Sequence, residues 1–238
     1  MKFWFVGTFF SWISVSMLAG FCLTAFAQPA GLLYDPEPPA DSAYVRAIHA
    51  SSDGDVDVLV DGRVRVKKLA AGHASDYMVL SAGKHIVAVH LAGKSVALLT
   101  MSLEVVRGRA MSVAFTSLKA DAAPVIFEDK TNSNKLKALL TVYHLEPKAG
   151  SLDVFTADGT TKVFNGLAYG SPASIQVNPI AIDLIAVKSG DKESLTKTTL
   201  VMSQGGTYSI LLLPGVRGKL TSRAFINKTE RFTGNQGI

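Results

Sequence analysis

The sequence has one cysteine, Cys22, and it lies inside the first apolar segment of the chain. Everything downstream must fold without disulfides, and thiol nucleophiles and zinc–thiolate sites are excluded with them. Helical periodicity is also missing, since no stretch between turn signals repeats its apolar residues at helical spacing. Catalytic motifs are as scarce. There is no G-x-S-x-G elbow of the kind secreted esterases use. Gly93-Lys94-Ser95 has the end of a phosphate loop, but Ala88 stands where the first glycine is needed. Asp53, Asp55 and Asp57 have the spacing that opens an EF-hand loop, yet Val58 takes the glycine position and Val64 the place of the closing glutamate. No metal and no cofactor are expected. The formal charge is +5, a balance that favours weak association with acidic partners. No basic run is interleaved with stacking aromatics, so nucleic acid is not expected as a partner.

What is present comes in two copies. V-R-A-I-H ends at His49, D-V-D-V-L-V-D-G runs from Asp55 to Gly62, and Leu69-Ala70 and Gly72 follow. T-V-Y-H ends at His144, S-L-D-V-F-T-A-D-G runs from Ser151 to Gly159, and Leu167-Ala168 and Gly170 follow. The offset stays between 95 and 98 residues and carries on from Val105–Phe115 to Val201–Leu211. Two homologous modules therefore lie in tandem.

Ahead of them, Lys2 precedes the largely apolar Phe3–Leu23, and Ala25-Phe26-Ala27 offers small residues where signal peptidase reads. This predicts a signal peptide over 1–27, cleaved after Ala27, and a mature chain that does not span a membrane. The apolar stretch approaches the roughly 20 residues of a bilayer span, so an uncleaved anchor is the alternative. Phe21 beside Cys22 disfavours a lipoprotein signal. Residues 28–41, with Pro29, Pro36, Pro38 and Pro39, read as an extended lead-in.

Alternation begins after that. Val56, Val58 and Val60 fall on one face, as do Met111, Val113 and Phe115, and Tyr208, Ile210 and Leu212. Turn signals such as Asp53-Gly54, Asp61-Gly62, Ala71-Gly72 and Asp158-Gly159 separate these runs. The chain is read as all-β, with two tandem, internally duplicated, immunoglobulin-like β-sandwich domains after the signal peptide. Domain 1 is placed at 42–120, a linker at 121–135, domain 2 at 136–216 and a polar, basic tail at 217–238. Independent domains of this kind have few contacts across their boundary.

Two sets of polar residues stand out. His49 with Asp57 is echoed by His144 with Asp153. Histidine beside a carboxylate can orient a general base or a metal ligand, but neither copy has a nucleophile, so the expectation is a structural hydrogen bond between neighbouring strands. Arg63, Arg65 and Lys67 alternate with Val64 and Val66, with Lys68 beside them. They are expected to share one strand face, either as edge protection or as a contact surface for an acidic partner or polymer.

The segment Leu33-Tyr34-Asp35-Pro36-Glu37-Pro38-Pro39-Ala40-Asp41-Ser42-Ala43-Tyr44-Val45-Arg46, directly after a signal peptide, resembles the opening of the AlgF family. So do Ala74-Ser75-Asp76-Tyr77, Phe127-Glu128-Asp129 and Lys137-Ala138-Leu139-Leu140. The first module alone also resembles a widespread secreted β-sandwich module of bacterial surface proteins. The AlgF resemblance implies a non-catalytic periplasmic accessory protein of alginate O-acetylation, or of cellulose acetylation in a related system. It would bridge periplasmic and membrane acetyl-transfer proteins, with an anionic polysaccharide as a further candidate partner. Two other classes stay open: a secreted carbohydrate-binding or adhesin-type module, and an acetyl-transfer enzyme using His49 or His144 as base.

Overall fold

The computed structural model describes residues 1–2 and 39–232. The expected signal peptide, Cys22 and the lead-in up to residue 38 lie outside the described residues, and 39–232 fall within one compact unit. Among the described residues no helix is long and apolar enough to cross a membrane.

The first half contains β1 (Ser42–His49), β2 (Val56–Val60), β3 (Arg63–Leu69), β4 (His73–Ala74), β5 (Met78–Ser81), β6 (Gly83–Leu91), β7 (Ala97–Val105), β8 (Ala110–Phe115) and β9 (Val125–Asp129). The second contains β10 (Ala138–His144), β11 (Leu152–Thr156), β12 (Lys162–Leu167), β13 (Pro172–Val177), β14 (Ala181–Lys188), β15 (Ser194–Val201), β16 (Thr207–Pro214) and β17 (Leu220–Ile226). Each half folds into two sheets, ordered β4-β1-β8-β9 and β3-β2-β6-β7 in the first and β13-β10-β16-β17 and β12-β11-β14-β15 in the second; β5 also pairs with β1. The orders match strand for strand, so the sequence repeat is a repeat of the whole sandwich. Each copy also keeps one parallel pair at its centre, β1 with β8 and β10 with β16.

The alternating strands do what their pattern demands. Val56, Val58 and Val60 meet Val45, Val87, Val89, Leu103 and Val113 in the first core. Leu140, Val142, Leu152, Val154, Leu184 and Ile210 fill the second. The central strands differ. All of β10 is buried, and all of β1 except Tyr44. Their other face is covered too, because the two central sheets pack on each other. Ile48, Ala50, Ala114 and Phe127 of the first sandwich meet Tyr143, Leu145, Leu211 and Leu213 of the second in a third apolar cluster. Four sheets are thus stacked through three cores.

Three expectations are corrected here. Residues 121–135 are not simply a linker, since β9 pairs along β8 and closes the first sandwich. Its interface face carries Val125, Phe127 and Asp129 while Ile126 and Glu128 are exposed, and a buried carboxylate hides that alternation. Residues 217–238 are not only a tail, because β17 pairs with β16 and lends Leu220 and Ala224 to the second core. Nor are the sandwiches independent. Beyond their shared cluster, Lys228–Glu230 run back to the first sandwich, where Tyr77 bridges Thr229 in parallel fashion. The Tyr77 amide donates to the Lys228 carbonyl at 2.8 Å and the Glu230 amide to the Tyr77 carbonyl at 2.8 Å.

Candidate functional site

The expected histidine–aspartate pairs do not form. His49 and His144 are fully buried, and each donates its Nε2 hydrogen to a turn carbonyl, Gly54 at 3.0 Å and Gly150 at 2.7 Å. They tie the end of the first strand of each module to the turn that follows it. His144 Nδ1 accepts from the Glu146 amide at 3.3 Å, whereas His49 Nδ1 has no partner. Burial pushes the His144 pKa below the ordinary histidine value, opposed by its bond to Gly150.

The aspartates act one strand further on. Asp57 accepts from the Lys68 amide at 2.8 Å and the Gly93 amide at 2.9 Å, and these two bonds hold its carboxyl below the usual range. Asp153 accepts from the Gly166 amide at 2.7 Å, Ser189 Oγ at 2.8 Å and Lys162 Nζ at 2.6 Å. Burial raises its pKa, but these bonds together bring the net shift down. In both copies the carboxylate clamps a bulge in the adjoining edge strand. Carboxylates that accept backbone amides in this way are structural parts of the turn.

The cationic row is corrected as well. Val64 lies opposite Leu59 but Val66 lies opposite Val58, so an extra residue at Arg65 interrupts the alternation of β3. Arg63, Arg65 and Lys67 therefore do not share one face. Arg65 instead reaches Glu230 at 2.5 Å, and the same carboxylate oxygen accepts from the Val79 amide at 2.9 Å. Lys68 is committed by its backbone to Asp57. The edge pins the returning C-terminal segment and is not a uniform contact surface.

The charged group that matters most was not singled out by its motif. Arg46 is 1% exposed in the middle of β1, on the face turned toward the second sandwich. Its Nε donates to Ser112 Oγ at 2.7 Å, Nη1 to Asn227 Oδ1 at 2.8 Å, and Nη2 to Tyr143 Oη at 2.9 Å and Ser209 Oγ at 3.0 Å. Asp129 completes the cluster without touching the guanidinium. Ser112 Oγ donates to its Oδ2 at 2.6 Å, Tyr143 Oη to its Oδ1 at 2.6 Å and Tyr77 Oη to its Oδ2 at 2.8 Å. Ser112 and Tyr143 each accept from the arginine and donate to the aspartate, so two hydroxyls relay between the buried charges. The guanidinium also lies 4.7 Å from the Tyr77 ring centre and 5.3 Å from that of Tyr143. Burial drives both tyrosine pKa values far up, with Asp129 adding and Arg46 opposing, so both stay hydroxyl donors. The repeat has split this cluster's parts, for Ser112 and Asp129 occupy the positions that Ser209 and Asn227 hold in the second copy. The available signal was an arginine in an otherwise apolar central strand, a position that demands buried partners.

Beyond Arg46 the interface opens into a cleft of ≈ 330 Å³. Tyr44, Tyr77 and Ala110 line its first-sandwich side, and Thr207, Asn227 and Lys228 its second. The joining segment forms the rim with Lys130 and Lys135, held by Asn132, whose amide donates to the Lys137 carbonyl at 2.9 Å and whose oxygen accepts from Gln176 at 3.1 Å. The lining has three lysines and no carboxylate. Among the described residues no group of three or more His, Cys, Asp and Glu side chains could hold a metal ion.

Residues 43–155 match a family model described as a domain of unknown function, DUF4397. The alginate biosynthesis protein AlgF of Pseudomonas putida is 29% identical over 76% of this chain and 78% of its own. AlgF of Pseudomonas aeruginosa is 27% identical over 88% of this chain and 91% of its own. Among solved structures, the C-terminal domain of AlgF from P. aeruginosa aligns with 39% of this chain and all of that one, at 26% identity and a TM-score of 0.33. The AlgF resemblance of the quoted segments thus extends along most of the chain.

Proposed function

We propose, for a chain that is AlgF-like over most of its length, a role in alginate biosynthesis as a non-catalytic adaptor of exopolysaccharide O-acetylation. The observation that carries this reading is the similarity to alginate biosynthesis proteins over 76% and 88% of the chain. The frame suits the task. Two duplicated sandwiches locked face to face present separate outer sheets, β3-β2-β6-β7 and β12-β11-β14-β15, on which two acetyl-transfer proteins can be held at a fixed spacing. The polymer is alginate, or cellulose in a related system, and the place of action is the periplasm, reached through the signal sequence over 1–27.

The alternative in which His49 or His144 acts as a base has little support from the geometry. Both rings are enclosed, and both use Nε2 to brace a turn, whereas a general base must reach the proton it abstracts. Deletion in an alginate-producing host is expected to abolish O-acetylation, read as acetyl groups per uronate by NMR of the purified polymer, while polymer yield persists. Unchanged acetyl content in the deletion strain would overturn the assignment to this step, and acetyl transfer by the purified chain alone would overturn the adaptor reading.

A further inference from the structure

The cleft behind Arg46 has the makings of a binding site. Lys130, Lys135 and Lys228 line it, all three are exposed, and no carboxylate opposes them. No ion pair engages these lysines among the described residues. Arg46 supplies a fourth element indirectly. By donating to Asn227 Oδ1, with Ser209 doing the same at 2.8 Å, it fixes which way the amide points. Asn227 lines the cleft, and its Nδ2 donor makes no hydrogen bond among the described residues. The hydroxyls of Thr131, Thr207 and Thr229 add further polar groups. A site with this many donors and no competing acid selects a ligand that is anionic and rich in acceptor oxygens.

Two macromolecules have that character, an acidic polypeptide and a polysaccharide of uronic acids. The lining decides between them. A docked peptide draws its affinity from apolar anchors seated in pockets, or from pairing with a free sheet edge. The only small apolar side chain in this lining is Ala110, and the backbone of Tyr77 is already paired with Lys228 and Glu230. Hydroxyls, amides, tyrosines and cations remain, a set matched to carboxylated sugar rings. We propose that this cleft binds a short uronate segment of an anionic polysaccharide, with the three lysines pairing its carboxylates and Asn227 donating to a ring oxygen or hydroxyl. The identity of the polymer rests on the proposed role in alginate biosynthesis; the anionic sugar chemistry rests on the cleft itself.

Titration of the purified chain with a uronate hexamer, followed by NMR and calorimetry, tests the site. The expected result is perturbation of the Asn227 side-chain amide and of Thr131, Thr207 and Thr229, weakening as salt rises and the screening length contracts. The triple variant K130Q/K135Q/K228Q alters only exposed side chains and is expected to fold as the parent does while binding about tenfold more weakly or worse. A neutral glucan hexamer is expected to leave the same resonances unmoved. No binding of the uronate, equal binding by the triple variant, or equal or tighter binding of polyglutamate at the same resonances would each overturn the proposal. Because the readout is binding by the isolated chain, a negative result here leaves the deletion test of polymer acetylation unaffected, and the reverse holds too.

Discussion

Single residues decide how the two sandwiches meet, and Arg46 does the most. Its four hydrogen bonds run to Ser112 in its own sandwich and to Tyr143, Ser209 and Asn227 in the other. Replacing it by methionine keeps the apolar stem but leaves the buried Asp129 without the guanidinium and takes the arginine donor from four acceptors. Loss of one member of such a cluster costs about 3–5 kcal/mol, so Arg46→Met is expected to lower the denaturant midpoint by a corresponding amount. Arg46→Lys should recover little of it, because one ammonium cannot reproduce a planar fork that reaches both sandwiches. Histidine 144 sets a separate dependence on pH. Its folded pKa is depressed by burial below the 6.5 of an open chain, so the unfolded chain binds the proton first as pH falls. Stability contributed by the neutral ring is present above about pH 6.5 and is lost as pH falls from there toward the folded pKa. The depressed carboxylates Asp57 and Asp153 act in a lower window, below their ordinary 3.8. Urea titrations of wild type and His144→Gln between pH 7.5 and 5 check this, with the variant expected to show the flatter profile.

At the scale of strands, the duplication permits a controlled comparison. Lys68 and Gly166 occupy the same bulge, each donating its amide to the clamping aspartate, and both have positive φ, 50° and 63°. A side chain in the left-handed region costs roughly 1–2 kcal/mol, and glycine gives back part of that gain through its freer unfolded chain. Lys68→Gly is therefore expected to stabilise the protein by about 0.5–1 kcal/mol. The reverse change, Gly166→Ala, is expected to destabilise it by a similar amount, for conformational reasons alone, since an added Cβ meets nothing closer than 3.9 Å. Melting temperatures of the two variants should move in opposite directions. The same contrast shows what was legible. Strands with one wet face, such as β2 and β6, announce themselves by alternation. The central strands β1 and β10 conceal their partner face because both sides are dry, and β9 and β17 conceal theirs because interface positions hold Asp129, Arg223 and Asn227. A bulge at Arg65 likewise removed the row of cations that strict alternation predicted.

The whole molecule raises the question of whether two sandwiches with separate cores unfold as one. Each has its own apolar filling, so neither needs the other to complete a hydrophobic core. What couples them is the third cluster, the Arg46 relay and the C-terminal return past Tyr77 to Glu230. The repeat legible in the sequence reports on the two cores and is silent about their junction, because the junction is where the copies differ: Ile48 against Tyr143, Arg46 against Thr141, Asp129 against Asn227. Undocking would bare Ile48, Phe127, Tyr143, Leu211 and Leu213 together, and each such side chain is worth about 1.5–3 kcal/mol of burial. That sum is comparable to the whole stability of a small domain, so neither sandwich should melt while the other stays docked and folded. Calorimetry of the wild type is expected to give one transition whose van 't Hoff and calorimetric enthalpies agree. Leu211 tests the coupling because it is fully buried yet belongs to the junction and to neither sandwich core. Leu211→Asp places a carboxylate in that apolar seam and is expected to split the melt into two transitions, with small-angle scattering showing a larger radius of gyration before the first of them. A single, merely lowered transition for this variant would show that the sandwiches do not fold apart and that the junction is part of one indivisible core.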